Sequence, residues 1–82
     1  MVISLSDCEE TRYKEIGLRI GYYRRKKGLT QAQLAELVDI SPNYMGSIER
    51  GNKGKSYSMD VLFSISDALD VSVSVLLGTE GI

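Results

Sequence analysis

Eighty-two residues, 43% hydrophobic and 26% charged, fit one small globular domain and exclude both a disordered tail and a pair of ordinary domains. Histidine is absent and Cys8 is the only cysteine, which rules out an internal disulfide, a structural zinc site and Ser–His or Cys–His catalysis. The net charge of −1 is unevenly spread: all ten lysines and arginines lie between Arg12 and Lys55, a segment of net +6, whereas residues 1–11 carry −3 and residues 56–82 carry −4. A basic centre between acidic ends suits a polyanion on one face. A merely solvated helix surface would cluster charge in the same way. Met1 to Asp7 has no basic flank, and no apolar run is long enough for a bilayer, so a reducing cytoplasmic setting without membrane contact is expected.

Residues 1–11 form an acidic arm or a helix extension, since Ser6 and Glu9 have the spacing of a cap. The first helix is expected to start between Asp7 and Arg12. Ile16, Ile20, Tyr23 and Lys27 then follow helical spacing, a stripe that turns basic at its end. Arg24-Arg25-Lys26-Lys27 complement the helix dipole before Gly28 stops the helix. Tyr22-Tyr23-Arg24-Arg25 has the aromatic-plus-basic look of single-strand binders, but Tyr23 is on the apolar stripe and is expected inside.

Thr30-Gln31-Ala32-Gln33 reads as a capping box, followed by an apolar stripe of Leu34, Leu37 and Val38 and a stop at Asp39. Ser41 and Pro42 are the N-cap and first residue of a third helix, with Met45 and Ile48 inward and Gly51 as its end. A polar loop, residues 51–57, leads to a Ser58-capped helix with Met59, Leu62, Ile65 and Leu69 on one face. Asp70-Val71-Ser72 repeats the turn grammar of Asp39-Ile40-Ser41. Residues 71–75 alternate like a strand, yet a lone strand has nothing to pair with, so a short fifth helix capped by Ser72 is preferred. The fold class is all-α, a compact bundle of about five short helices spanning residues 12–78, with 79–82 as a tail.

Residues 30–50 hold two short helices joined by about four residues. Counting from Gln31, apolar residues occupy positions four (Leu34), eight (Val38), ten (Ile40), fifteen (Met45) and eighteen (Ile48), with small Ala35 at position five. An ordinary helical hairpin would want similar stripes. The short turn, the alanine and the basic surroundings favour a helix-turn-helix. Gly28-Leu29-Thr30-Gln31-Ala32-Gln33-Leu34-Ala35 and Ile48-Glu49-Arg50-Gly51 resemble the phage-repressor and Cro-type family, also called XRE-type or lambda-repressor-like, over about residues 16–77. The resemblance implies a five-helix bundle, insertion of the third helix into the major groove, a homodimer on a near-palindromic operator, and an Arg24–Glu49 brace. The chain departs from the family pattern at Asp39 and Asp70, where glycine is common, and at Ser56-Tyr57, where proline is frequent.

Helix geometry from Pro42 puts Met45, Ile48 and Tyr44 in the inward sector and Asn43, Gly46, Ser47 and Arg50 outward. Asn43 is the first choice for base readout because its amide matches the adenine N6/N7 edge, with Ser47 second. Gly46 either permits close approach to the groove or lacks room for a side chain. Tyr44, at the edge of the sector with its hydroxyl toward phosphate, and Pro42 complete the readout set. Gln31, Arg50, Asn52, Lys53 and Lys55 are expected at phosphates. Val71, Val75, Leu76 and Leu77 are the expected dimer surface, though some of them must serve the core. The expected protein is a sequence-specific double-stranded DNA-binding transcription regulator acting as a repressor, with no cofactor or metal and no enzymatic activity. Control would come from concentration, dimerisation or a regulatory protein partner. The rival is an antitoxin-like or adaptor module that binds protein rather than DNA.

Overall fold

In the computed structural model, which describes residues 5–51 and 57–79, five helices follow one another: α1 (Leu5–Lys26), α2 (Gln31–Leu37), α3 (Pro42–Arg50), α4 (Met59–Leu69) and α5 (Val73–Leu77). Helix α1 begins at Leu5, ahead of the expected start, so residues 5–11 are helical.

The remaining boundaries follow the capping chemistry of the sequence. Thr30 and Gln33 close the capping box, with Thr30 N–H donating to Gln33 Oε1 (2.8 Å) and Gln33 N–H to Thr30 Oγ1 (3.0 Å). Ser41 Oγ accepts from Tyr44 N–H at 3.0 Å, and Ser58 and Ser72 accept from Val61 and Val75 at 3.3 Å each. Asp39 and Asp70 take the left-handed conformation, with φ of 60° and 58°. Aspartate therefore does here what glycine usually does, its short polar side chain tolerating that region. The alternating segment from Val71 is a turn leading into α5, and not a strand.

The core is built from Ile20 of α1, Leu34 and Ala35 of α2, Met45 and Ile48 of α3, Leu62, Ile65 and Leu69 of α4, and Leu76 of α5. Ile16, Tyr23, Val38, Ile40 and Tyr44 pack against its edges. Two expected core residues lie outside it. Leu37 is 61% exposed because the inward direction of the seven-residue α2 falls between Leu34 and Ala35, about 110° away around the helix. Met59 is 50% exposed, since it shares the face of Leu62 but lies one turn before the core begins.

Helices α1 and α3 meet backbone to backbone. A Cβ at Gly17 would run into the carbonyl oxygens of Glu49 and Ile48, and one at Gly51, itself at φ 62°, would sit 2.6 Å from Lys14 Cα. Glycine in a helix interior costs about 1 kcal/mol relative to alanine, and here it permits the crossing. Gly17→Ala should therefore lower stability by about 1–3 kcal/mol despite alanine's better helix propensity. A urea melt as stable as that of the parent would contradict the crossing.

Tyr57 joins the far end of this crossing, its ring edge-on to Tyr13 with centroids 5.5 Å apart. Its hydroxyl is buried without a hydrogen-bond partner among the described residues. Burial, and to a lesser extent Tyr13 and then Tyr44, raises its pKa from 10.0 to about 12. A raised phenol favours the folded state while it stays protonated. Its contribution is complete below pH 10.0 and is lost as pH climbs toward about 12. Tyr57→Phe should leave neutral-pH stability unchanged or higher, since it removes a buried hydroxyl that has no partner among the described residues. The same substitution should flatten the alkaline decline, as read by thermal melts across pH 9–12.

Candidate nucleic-acid interface

Helix α3 is held from behind by a polar cluster. Arg24 Nε donates to Glu49 Oε2 at 2.7 Å and Arg24 Nη2 to Glu49 Oε1 at 3.2 Å. The third donor, Arg24 Nη1, reaches the Leu29 carbonyl at 2.8 Å. Gln31 Nε2 completes the set by donating to Glu49 Oε1 at 3.2 Å. The two charged side chains are only 11% and 8% exposed. The brace implied by the resemblance is thus present, and it reaches further than the sequence indicated, tying the start of α2 to the end of α3. No spacing signal marks the Gln31–Glu49 contact, because the partners are 18 residues apart on different helices.

The opposite side of α3 faces outward. Pro42 and Asn43 are exposed, Ser47 is half-buried, Arg50 is exposed and Tyr44 is half-buried against the core. Ser47 Oγ donates back to the Asn43 carbonyl at 3.2 Å, which leaves its lone pairs outward. The Asn43 side chain has no competing internal bond among the described residues.

Two assignments need correction. Gly46, expected on an exposed face, is buried beneath the ends of Arg50 and Gln31, and a Cβ there would lie 3.1 Å from Arg50 Nη1 and 3.6 Å from Gln31 Oε1. Its lack of a side chain leaves space for those two groups and is not an open approach for DNA. Leu76, expected at a dimer surface, is fully buried because α5 turns it into the core. Val71 and Val75 are half-buried and Leu77 is 38% exposed. Asn52, Lys53 and Lys55 lie outside the described residues. Gln31 is half-buried at the start of α2, on the flank of α3 where Arg50 also projects.

Sequence reasoning missed Gly17 and Gly21 as determinants of the site. A Cβ at Gly21 would approach Glu49 Oε1 to 3.0 Å, so both glycines let α3 and its carboxylate sit directly on α1. Two glycines four residues apart inside an amphipathic helix were the available signal.

A rigid helix, backed by a buried ion pair and offering a polar outer side, joined through a short turn to a preceding capped helix, defines a helix-turn-helix unit. The helix-turn-helix family profile matches residues 20–76, and the chain belongs to this family, of the XRE type, whose members are transcriptional regulators and not enzymes. It is 44% identical over 62 residues to the HTH-type transcriptional regulator SinR of Bacillus subtilis, a match covering 76% of this chain and 55% of SinR. The immunity repressor protein of Bacillus phage phi105 is 38% identical over 65 residues, covering 79% of this chain and 44% of the repressor. The chain therefore spans about half the length of these relatives.

Among solved structures, SinR in complex with DNA superposes with a TM-score of 0.68 at 44% identity, covering 76% of this chain and 97% of the other. The restriction-modification controller C.AhdI from Aeromonas hydrophila gives 0.74 at 30% identity, covering 80% and 97%.

Removing one partner of a mostly buried, multiply bonded pair leaves the other unsatisfied, so Arg24→Ala should cost about 3 kcal/mol of stability. A double-mutant cycle with Glu49→Gln should return a coupling of about 2 kcal/mol. Additive effects would show that the two side chains do not act as a unit.

Proposed function

We propose that this protein is a sequence-specific double-stranded DNA-binding regulator of transcription, acting as a repressor and as a homodimer on a near-palindromic operator in the cytoplasm. The observation that carries the reading is an exposed Asn43 on a helix locked in place by Arg24, Glu49 and Gly17, in a chain resembling a regulator solved on DNA. In this reading α3 lies in the major groove. Asn43 pairs with an adenine edge, Ser47 accepts a hydrogen bond through its free lone pairs, and Pro42 and Tyr44 shape the leading turn. Gln31 and Arg50 flank α3 and hold phosphate, with Asn52, Lys53 and Lys55 following along the backbone. Gln31 can do so while bonded to Glu49, since its amide carries two N–H groups and only one is used.

Half-sites one helical turn apart, about 34 Å, match two such helices in a two-fold dimer. Val71, Val75 and Leu77 contribute to subunit contact, and Leu76 supports them from the core. The repressor assignment draws on the likeness to the phage immunity repressor.

Selection of bound sites from random duplexes at stated salt, followed by titration of the selected site, tests the function. Affinity should fall steeply with salt, by about 0.9 log units per log unit for each phosphate contacted. Salt-insensitive or absent binding to duplex DNA, together with tight binding to another protein, would favour an adaptor or antitoxin-like module instead. Asn43→Ala should lower affinity for the selected site by about 1–3 kcal/mol and leave binding to random DNA unchanged. Equal losses on both would remove Asn43 from base readout.

A further inference from the structure

On the flank of the molecule away from α3, α1 and α5 form a shallow open groove lined by Leu18, Arg19, Tyr22, Tyr23, Val75 and Gly78. Around α1, Gly17 and Gly21 face α3, whereas Leu18, Tyr22, Glu15 and Arg19 lie about 100–200° further round. Leu18 is 68% and Tyr22 53% exposed, a high value for two large apolar groups side by side. Tyr22 is also held rigid: its ring meets Tyr23 edge-on at 4.9 Å, and Lys26 Nζ sits 5.8 Å from its centroid.

Between these apolar groups, Arg19 lies against Gly78, where a Cβ would come within 2.5 Å of the guanidinium carbon. Its Nη1 is buried there without a hydrogen-bond partner among the described residues, while the side chain as a whole stays half-exposed. Glu15, four residues earlier on the same face, is exposed and forms no ion pair with Arg19 among the described residues. The strip thus carries an acid and a base on either side of a leucine, which is self-complementary when a second copy of the helix crosses antiparallel. In a two-fold contact, residue i meets j and j meets i.

We infer that this α1 strip is an interface for a second copy of the same chain, with Glu15 of each subunit paired to Arg19 of the other and Leu18 and Tyr22 packed between them. The inference rests on the homodimer in the proposed function and replaces an interface made by α5 alone with one centred on α1. The part of the Arg19 side chain that stays exposed meets the carboxylate across the two-fold axis. The aromatic anchor is already fixed before contact, so little side-chain entropy is lost in making it.

Sedimentation equilibrium of the full chain tests the interface, with circular dichroism melts confirming that each variant folds. Leu18→Glu should weaken self-association more than about tenfold, because a charge replaces the buried centre. Glu15→Arg and Arg19→Glu should each weaken it, since each sets like charges opposite one another. Mixing these two single variants in equal amounts should restore dimer as a heterodimer, in which both cross-pairs are again opposite in charge. A pair confined to one helix could not be restored by mixing. Failure of the mixture to recover, or a dimer indifferent to Leu18→Glu, overturns the α1 interface in favour of another surface. A parent chain that stays monomeric alone and on its selected DNA overturns the homodimer as well. Retained site-specific affinity in Leu18→Glu at concentrations where the parent is monomeric leaves the DNA-binding reading standing in either case.

Discussion

One carboxylate sits where three helices meet. Glu49 belongs to α3, and its two oxygens accept from Arg24 of α1 and from Gln31 of α2. Arg24 in turn caps the Leu29 carbonyl in the connection between α1 and α2. Desolvating such a pair costs several kcal/mol, which its Coulombic attraction repays only with good geometry and further hydrogen bonds. Here both carboxylate oxygens and three guanidinium N–H groups are bonded, so what the pair supplies above all is direction. Asn43 lies six residues, about 9 Å, up the same helix. A tilt of about 10° at Glu49 would displace Asn43 by roughly 1.5 Å, more than the half-ångström tolerance of a functional constellation. Fixing the rear of α3 is therefore part of reading with its front.

Charge alone would leave the helices free to slide, and the glycines prevent that. At Gly17 the α1 backbone touches the α3 carbonyls, and at Gly51 the end of α3 rests on Tyr13 and Lys14. The crossing is so close that the Glu49 side chain can lie along Gly21 and still reach Arg24. Local propensity is sacrificed at these glycines for tertiary geometry. The left-handed Asp39 and Asp70 show the opposite case, in which a residue other than glycine is sufficient because the turn needs only φ and no extra space.

The helix boundaries were legible because they are written in local chemistry. Thr30 with Gln33, Ser41 with Pro42, Ser58 and Ser72 each bond to backbone within three residues, and such contacts survive whatever the rest of the chain does. The outward placement of Asn43 followed from helical period, and the Arg24–Glu49 pair from family resemblance. What local pattern could not decide was how far the core extends and what lies over a given residue. Leu37 and Met59 keep helical period but fall beyond the core's reach, and Leu76 falls within it. Gly46 has an outward angle yet is covered by side chains from two other turns, one of them on another helix. The burial of Arg19 Nη1 is likewise a property of the fold, since Gly78, far along the chain, lies against its guanidinium.

The two sides of α1 then have different physical characters. The α3 side is occupied by glycine and by the Arg24–Glu49 pair, leaving α3 to present its polar surface outward. The α5 side keeps exposed leucine and tyrosine around a half-buried arginine. A chain of 82 residues buries only about 60–65% of its unfolded surface and has little stability to spare. Covering Leu18 and Tyr22 with a second copy would favour folded over unfolded chains by mass action, so stability and self-association would rise together with concentration. It would also join two readers through a fixed geometry, making the second half-site contact effectively intramolecular. The domain would then become competent for an operator only when enough of it has accumulated, through the same α1 helix that positions Glu49 behind Asn43.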